Sequence, residues 1–444
     1  MFRTIPWLFV AACTGGGISS ITVTPLELVP AFSPEITDYY VRCSDGTQTV
    51  GVDVDGSTEL HMIAPDDLIQ IDQYSIRCLP PTFPELTIDK PGTPTPGYYL
   101  VNSAPFVYVL DGNGVPVWYE PTHFGCNVSS PAPNTIAYMA DAEYPYSKDT
   151  MPFYEIHDLA SGDVRMLASA DEPTDEHELQ LDNGNYLFFT DPLVKDVDLT
   201  SIGLAGSYTI ADCKIVEVDP SGALVWSWAA SEHLDVAESV YQQFDVIGTG
   251  MIADIFHCNS IEIGPNNDLL ISMRHTSAIY DLDRTTGNVS WKLGGNSVTQ
   301  APHLTVVGDP DGGFNLQHDA RFTATGNLTL FDDHGIDPTM GVARGLELSL
   351  DHTANTASIV WQARADQTSM YMGGFRRYSD GDSLISWGYL VNETRIFTEY
   401  DADANPVFEV STYLPTVFNA LTYRTVKVPP EQFDIELLRA STAR

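Results

Sequence analysis

The chain has 444 residues, of which 43% are hydrophobic, and this length suits one large domain with a smaller accessory domain. Its 60 Asp and Glu residues outnumber its 21 Lys and Arg residues and give a net charge of −39. A surface with this charge repels phosphate backbones, so nucleic acid is excluded as an expected partner. The acid excess indicates a strongly solvated surface.

Residues 1–12 have the features of an export signal. Arg3 supplies a positive charge, and a short apolar run follows from Ile5 to Ala12. The run Val10-Ala11-Ala12-Cys13 resembles a bacterial lipoprotein signal in which Cys13 becomes the lipidated first residue, with a Gly-rich tether over residues 13–18. An ordinary secretory signal with an incidental cysteine is the alternative. We therefore expect export, as a periplasmic or cell-surface lipoprotein anchored in the outer membrane only through its lipid.

Residues 19–85 predict a small β-sandwich-like domain. Short stretches alternate apolar and polar residues and are separated by Pro, Gly and Asp, as in cadherin-like or immunoglobulin-like accessory domains. Cys43 and Cys78 occur in the similar contexts "YYVRCS" and "YSIRCL", and export permits disulfides, so we expect these two to pair. Pairing Cys126 with Cys213 is a guess, and it would leave Cys258 free.

A strand–turn–strand unit repeats six times across residues 86–425. Each unit has an Asp-, Asn- or Gly-rich hairpin turn, as in "VYVLDGNGVPVW" and "IYDLDRTTGNVSW". The repeat predicts an all-β fold, a six-bladed β-propeller, with residues 426–444 as a C-terminal tail. The matching end positions of the six units are Trp118, Arg165, Trp226, Trp291, Trp361 and Phe408.

Three histidines fall at one position of this repeat. His177, His257 and His318 each lie seven or eight residues before a turn in the first half of a unit. Because the first strand of each blade lines the central channel of a propeller, we expect the three at one channel mouth. They could hold a metal with acidic neighbours such as Glu178 and Asp319. Alternatively, one could act as a nucleophile while the others orient an anion.

Arg274 favours the second interpretation, because a guanidinium disfavours a divalent cation and grips a tetrahedral oxyanion. Asn259 follows His257 by two residues and points to the same face of its strand, whereas His275 alternates to the other face. The directions of Arg321, Arg376 and Arg377 are not fixed by the pattern, and His334 is expected near the rim. The sequence has neither a Gly-rich nucleotide loop nor a GxSxG elbow.

The segments "DIFHCNSIEI…LLISMRHTSAIYDLDRTTGNVSWKLGG" and "FNLQHDARF…GNLTLFDD" resemble the bacterial arylsulfotransferase family over roughly residues 90 to 425. The resemblance implies an exported six-bladed propeller that moves a sulfuryl group from a phenolic sulfate donor to a phenol acceptor. It implies no nucleotide donor, no other cofactor and no metal. Turnover in this family is ping-pong through a sulfated histidine.

Carried over to this sequence, the resemblance implies that His318 is the nucleophile. It assigns the binding of the sulfuryl oxygens to His257, Asn259 and Arg274, and assistance in protonating the phenol to His177. Two further hypotheses stay open. One is a non-catalytic surface propeller that binds a glycan or a protein partner, and the other is a metal-dependent hydrolase or lyase.

Overall fold

The computed structural model describes residues 17–123, 125–140, 152–247, 250–335, 341–413 and 422–441. The expected signal peptide and Cys13 lie outside these residues. Strands dominate the described part of the chain, and none of its helices is long and apolar enough to cross a membrane.

The N-terminal region forms two three-stranded sheets. The first has the order β1 (Ile21–Thr24), β3 (Gln48–Val54) and β4 (Ser57–Ile63), and the second has the order β2 (Asp38–Arg42), β6 (Tyr74–Leu79) and β5 (Leu68–Ile71). Their apolar faces share one core, in which Val41, Val50 and Ile76 are buried. Cys43 and Cys78 are disulfide-bonded, as the sequence predicts, and the two sheets share a core, as expected of a sandwich-like arrangement.

Six four-stranded units follow within the described residues and form the blades of a propeller; the fourth and fifth belong to one nine-stranded sheet. The first blade contains β8 (Tyr98–Ser103), β9 (Phe106–Leu110), β10 (Pro116–Pro121) and β36 (Val426–Val428). The second contains β11 (Cys126–Ser129), β12 (Thr135–Met139), β13 (Tyr154–Asp158) and β14 (Val164–Leu167). The third contains β15 (Thr174–Asp182), β16 (Asn185–Thr190), β19 (Lys214–Val218) and β20 (Leu224–Ala229). The fourth blade contains β23 (Cys258–Ile263), β24 (Leu269–Met273), β25 (Ala278–Leu282) and β26 (Val289–Gly294). The fifth contains β28 (His318–Phe322), β29 (Leu328–Asp332), β30 (Arg344–Asp351) and β31 (Thr356–Arg364). The sixth contains β32 (Gly374–Arg377), β33 (Ser383–Ser386), β34 (Arg395–Tyr400) and β35 (Pro406–Thr412), and β7 (Leu86–Asp89) adds an outer strand to it.

The inner strands contact one another around the ring, and β36 closes it. Strand β36 pairs antiparallel with β8, so that the C-terminal end of the chain completes the first blade. It lies in the segment 426–444, where we expected a tail, and the helix α2 (Ile435–Ala440) that follows contacts β10. Arg439 of this helix bonds to Asp38 at 2.7 Å and so ties the propeller to the N-terminal domain.

An extra sheet is inserted between the third and fourth blades. It consists of β17 (Leu193–Asp198), β18 (Ser207–Ala211), β21 (Gln243–Ile247) and β22 (Gly250–Asp254), and the short helix α1 (Ala230–His233) lies between β20 and β21. A further strand, β27 (His303–Val306), pairs with both β26 and β31 and joins the fourth blade to the fifth. One-turn 3₁₀ helices occupy Thr200–Ile202, Val236–Glu238 and Pro430–Gln432.

The second disulfide differs from our expectation. Cys213 bonds to Cys258, so both the Cys126–Cys213 pairing and the free Cys258 are wrong. The physical reason is that Cys213 and Cys258 share the core between the third and fourth blades, with their Cα atoms 5.8 Å apart. Cys126 lies in a different core and is the free cysteine of the described residues.

Candidate functional site

The fold brings the three register histidines together at one end of the channel. His177 lies in β15, His257 directly precedes β23, and His318 begins β28, so each belongs to the inner strand of a successive blade. The ring centroids of His177 and His257 are 4.8 Å apart. Burial lowers the pKa of His318, and Arg274, His257 and His177 lie close enough to lower it further.

Each of the three imidazoles is anchored by a carboxylate on one side of the ring. The Nδ1 atom lies 2.7, 2.5 and 2.5 Å from a carboxylate oxygen in the pairs His177–Asp175, His257–Asp254 and His318–Asp333, respectively. Among the described residues, the hydrogen bonds of all three rings are made through Nδ1. A proton on Nδ1 leaves Nε2 with a free lone pair whenever the imidazole is neutral.

The protonation states of the three rings differ although their anchors are alike. Burial acts to lower the pKa of His177, but Asp175 and Glu176 outweigh it and raise the pKa to about 9. Burial lowers the pKa of His257 to about 4 despite the Asp254 carboxylate. Burial, and then the charge of Arg274, hold the pKa of His318 well below its ordinary value. Near neutral pH, His177 is therefore a cation, and His257 and His318 are neutral.

Arg274 follows the end of β24 and is 96% buried. Its NH1 donates to Nε2 of His275 at 2.9 Å, and its NH2 donates to the carbonyl of Met370 at 2.9 Å. Its buried Nε–H has no hydrogen-bond partner among the described residues. A buried donor left without a partner is costly, so this atom is available to an anion that enters the site.

His275 belongs to the site, contrary to the expectation from strand alternation. Arg274 and His275 lie in a turn beyond β24, where the two-residue period of a strand no longer applies. The ring of His275 stacks on that of His257 with centroids 4.6 Å apart, and its Nδ1 donates to the Asp254 carbonyl at 2.9 Å. Asp254 thus holds both rings.

Asn259 is fully buried on β23. Its amide nitrogen donates to the carbonyl of Gln317 at 2.7 Å, while its side-chain oxygen has no partner among the described residues. The amide therefore links the fourth and fifth blades. Its role in binding sulfuryl oxygens stays a prediction.

A second group of charges lies next to the histidines. Glu178 and Asp319, the sequence neighbours of His177 and His318, pair with the arginines Arg321, Arg376 and Arg424. Arg424 reaches both acids, at 3.2 Å from Glu178 and 3.1 Å from Asp319. Because these carboxylates are neutralised by guanidinium groups, the structure does not place them in a metal shell with the histidines.

Two groups of side chains have a spacing that would suit a metal ion. They are Asp254, His257 and His275, and Asp175, Glu176 and His177, with candidate ligand atoms within 4.8 Å of one another in each group. The Nδ1 atoms of His177, His257 and His275 are bonded to carboxylate or carbonyl oxygens. We therefore interpret both groups as hydrogen-bonded pairs that orient imidazoles.

Sequence reasoning missed several residues that build the site. The anchors Asp254 and Asp333 lie outside the register used to find the histidines. Tyr423 is buried, with its hydroxyl 3.0 Å from the carbonyl of His177 and 2.8 Å from that of Asn259. It comes from the C-terminal part of the chain, where no repeat signal pointed to the channel.

Comparisons with known proteins agree with the motifs. A family model described as Arylsulfotransferase (ASST) matches residues 155–412, which is more than half of the chain. No curated protein sequence matches the chain.

Solved structures give only distant similarities. A protein of unknown function from Bacteroides caccae has 12% identity and a TM-score of 0.45, with 75% of this chain and 99% of that chain covered. TolB from Acinetobacter baumannii has 12% identity and a TM-score of 0.40, with 77% and 68% covered. A streptogramin B lyase has 8% identity and a TM-score of 0.38, with 75% and 89% covered. Because these similarities are distant, the fold is assigned from the sheet topology and not from the similar structures.

Proposed function

Since the chain belongs to the arylsulfotransferase family, we propose that it moves a sulfuryl group from a phenolic sulfate ester to a phenol through a sulfated His318. Family membership supports aryl sulfotransferase activity in general. The observation that carries the specific mechanism is the state of His318. It is a buried, neutral imidazole anchored through Nδ1, and it lies beside an arginine with an unpartnered donor.

In the first half of the reaction, the lone pair on Nε2 of His318 attacks the sulfur of the donor ester. The N–S bond forms, the S–O bond to the aryl group breaks, and the phenolate departs. Asp333 lies 2.5 Å from Nδ1; burial raises the pKa of its carboxyl group and Arg274 opposes that rise, and in its ionised form Asp333 accepts from Nδ1 and stabilises the positive charge that develops on the ring. The ring is 99% buried, which excludes water that would hydrolyse the sulfated intermediate.

The sulfuryl oxygens carry the negative charge throughout the transfer. Arg274 is the group best placed to bind them, because its guanidinium is held by His275 and Met370 while its Nε–H stays free. Fixed donors in a buried site stabilise a transferring anionic group without reorganising during the step. In the second half, the oxygen of the acceptor phenol attacks the sulfur, the N–S bond breaks, the hydroxyl proton passes to a neighbouring imidazole of the site, and His318 returns to its neutral form.

The direct test is turnover without a nucleotide. Purified protein incubated with p-nitrophenyl sulfate and a phenol is expected to release p-nitrophenol at a rate that depends on the acceptor concentration. His352→Gln, a substitution of an exposed histidine on the fifth blade, should keep the wild-type rate. Wild-type protein that is folded but inactive toward several aryl sulfates would overturn the proposal and favour the ligand-binding propeller.

We further propose that the protein is exported and lipidated at Cys13. The support is sequence alone: a positive charge, a short apolar run and small residues before the cysteine. Expression of the full-length chain in a bacterium should place it in the detergent phase of a partitioning experiment. Cys13→Ala should move it to the aqueous phase, and partitioning that does not change would contradict the anchor.

A further inference from the structure

Keeping for His177 the protonating role that the family resemblance implies, we infer that His257 is its counterpart: His177 protonates the departing phenolate, and His257 removes the proton of the attacking phenol. This inference rests on the proposed function. It changes the role that the family resemblance implies for His257, which is to bind a sulfuryl oxygen.

The bonding of His257 argues against a donor role. Its Nδ1 lies 2.5 Å from the Asp254 carboxylate, so the proton of the neutral ring belongs on that nitrogen. Nε2 then presents a lone pair, which repels an anionic oxygen and accepts the hydrogen of a phenol. A base whose far nitrogen is held by a carboxylate is also the arrangement that orients a catalytic imidazole.

The charges around the two rings differ in a way that separates their roles. His177 lies 2.9 and 2.7 Å from the two oxygens of Asp175, and the carboxyl groups of Glu176 and Asp254 also act on it. This surrounding negative charge favours the imidazolium form of His177.

Among the described residues, His257 has one carboxylate partner, Asp254, and shares it. The Asp254 carboxylate also lies 3.4 Å from Nδ1 of His275, whose ring stacks on His257 and accepts from the Arg274 guanidinium. His177, itself cationic, lies on the other side of His257 at 4.8 Å. These neighbours oppose a second positive charge, in agreement with a pKa of about 4 for His257 and about 9 for His177. Two titratable groups whose environments separate their pKa values mark the acid and the base of a site.

The proton balance closes within the pair. In the first half, Nε2–H of His177 gives its proton to the departing phenolate, and the donor leaves as a phenol. In the second half, the acceptor hydroxyl gives its proton to Nε2 of His257 as its oxygen bonds to sulfur. The adjacent rings then allow this proton to pass from His257 to His177, directly or through water, which restores the starting enzyme. No proton is consumed or released overall.

The experiment compares His257→Gln with the wild type over a series of phenol acceptors of decreasing acidity. The glutamine amide can donate to an anion but cannot accept a proton. We therefore expect the rate ratio of wild type to variant to rise at least tenfold from acidic nitrophenols to unsubstituted phenol. The burst of p-nitrophenol in the absence of acceptor should be slowed less than turnover. A ratio that is the same for all acceptors and for the burst would overturn the inference.

His177→Gln supplies the mirror test. Its burst rate should fall most steeply for donors whose leaving phenol is a weak acid, and least for p-nitrophenyl sulfate. A dependence on the donor that matches that of His257→Gln would contradict the division of roles. His352→Gln is the matched control for a His→Gln change outside the site. Sulfation of His318 in the wild type separates the two claims, because its absence refutes the proposed function, whereas its presence with flat ratios refutes only this inference.

Discussion

Two clusters of buried charge lie side by side in the channel, and adjacent residues of the same strands contribute to both. We call the group His177, His257, His275, Arg274 and His318 the histidine cluster, and the group Glu178, Asp319, Arg321, Arg376 and Arg424 the ion-pair cluster. Each arginine of the ion-pair cluster has an acid partner, and Arg424 bridges Glu178 and Asp319. One guanidinium Nε in each cluster makes no hydrogen bond, but the Nε of Arg424 lies 3.1 Å from the Asp319 carboxylate, whereas Arg274 has no acid within ion-pair distance among the described residues.

The two clusters show how a single β-strand serves both stability and chemistry. Successive side chains of a strand point to opposite sides, so His177 and Glu178 can face different surroundings one residue apart. Charges that satisfy one another hold blades together, whereas polar atoms left without a partner are free to bind a substrate. Substitutions in the two clusters should therefore affect different measurements.

The largest expected effect is that of His318→Ala on activity. The nucleophile has no substitute within the histidine cluster, so turnover with p-nitrophenyl sulfate and phenol should fall to the background rate. Thermal unfolding should show a native-like transition, because the blade cores are untouched. Full activity in His318→Ala would refute the sulfohistidine mechanism.

Arg274→Ala should have the second largest effect on activity. Removing a donor to the sulfuryl oxygens costs on the order of 10²–10³ in rate. Steady-state kinetics should show most of this loss in kcat/KM, and Arg274→Lys should recover only part of it, because lysine is a point charge without the planar fork. A loss below tenfold would place the anion elsewhere in the cluster.

Arg424→Ala tests the ion-pair cluster and should act on stability. Breaking a buried pair leaves an uncompensated charge, at a cost of about 3–5 kcal/mol in the free energy of unfolding. Arg364→Ala removes a partner of Asp311 at a site where the arginine side chain is 33% exposed, and it should cost about 0–1 kcal/mol. Denaturant unfolding of both variants measures the contrast, and equal costs would remove the distinction between buried and exposed pairs.

The two disulfides should also differ in how their removal affects activity. Removing Cys213–Cys258 or Cys43–Cys78 should each lower stability by about 2–4 kcal/mol. Because Cys258 directly follows His257, Cys213→Ser/Cys258→Ser should also reduce transfer by the folded enzyme. Cys43→Ser/Cys78→Ser, in the N-terminal domain, should leave the rate per folded molecule unchanged. Equal activity of the two double variants would contradict a positioning role for the second disulfide.

The pH dependence of activity should be the mildest of these effects, with a wide plateau between two limbs. His177 must be protonated, so activity should decline as the pH rises through about 9. His257 must be neutral, so activity should also decline as the pH falls through about 4. Each limb should change about tenfold per pH unit in kcat/KM. Two limbs that meet near the ordinary histidine value of about 6.5 would show that the environments do not separate the two rings.

The sequence predicted what blade symmetry controls. The repeat located the propeller, and the shared register brought His177, His257 and His318 to one channel mouth. Contacts that blade symmetry does not impose were not predicted from the sequence. Asp254 precedes its blade, Tyr423 arrives from the far end of the chain, and His275 lies in a turn where alternation fails. The Cys213–Cys258 bond depends on which cores meet between blades, which strand patterns alone do not specify.

Mass spectrometry of the enzyme quenched after exposure to a phenolic sulfate alone is the decisive test for a sulfated His318. We expect one sulfuryl group on His318, located by fragmentation of its peptide. The label should disappear when a phenol acceptor is added before quenching, and it should be absent from His318→Ala. A label on His177 or His257, or active wild-type enzyme that carries none, would contradict the account.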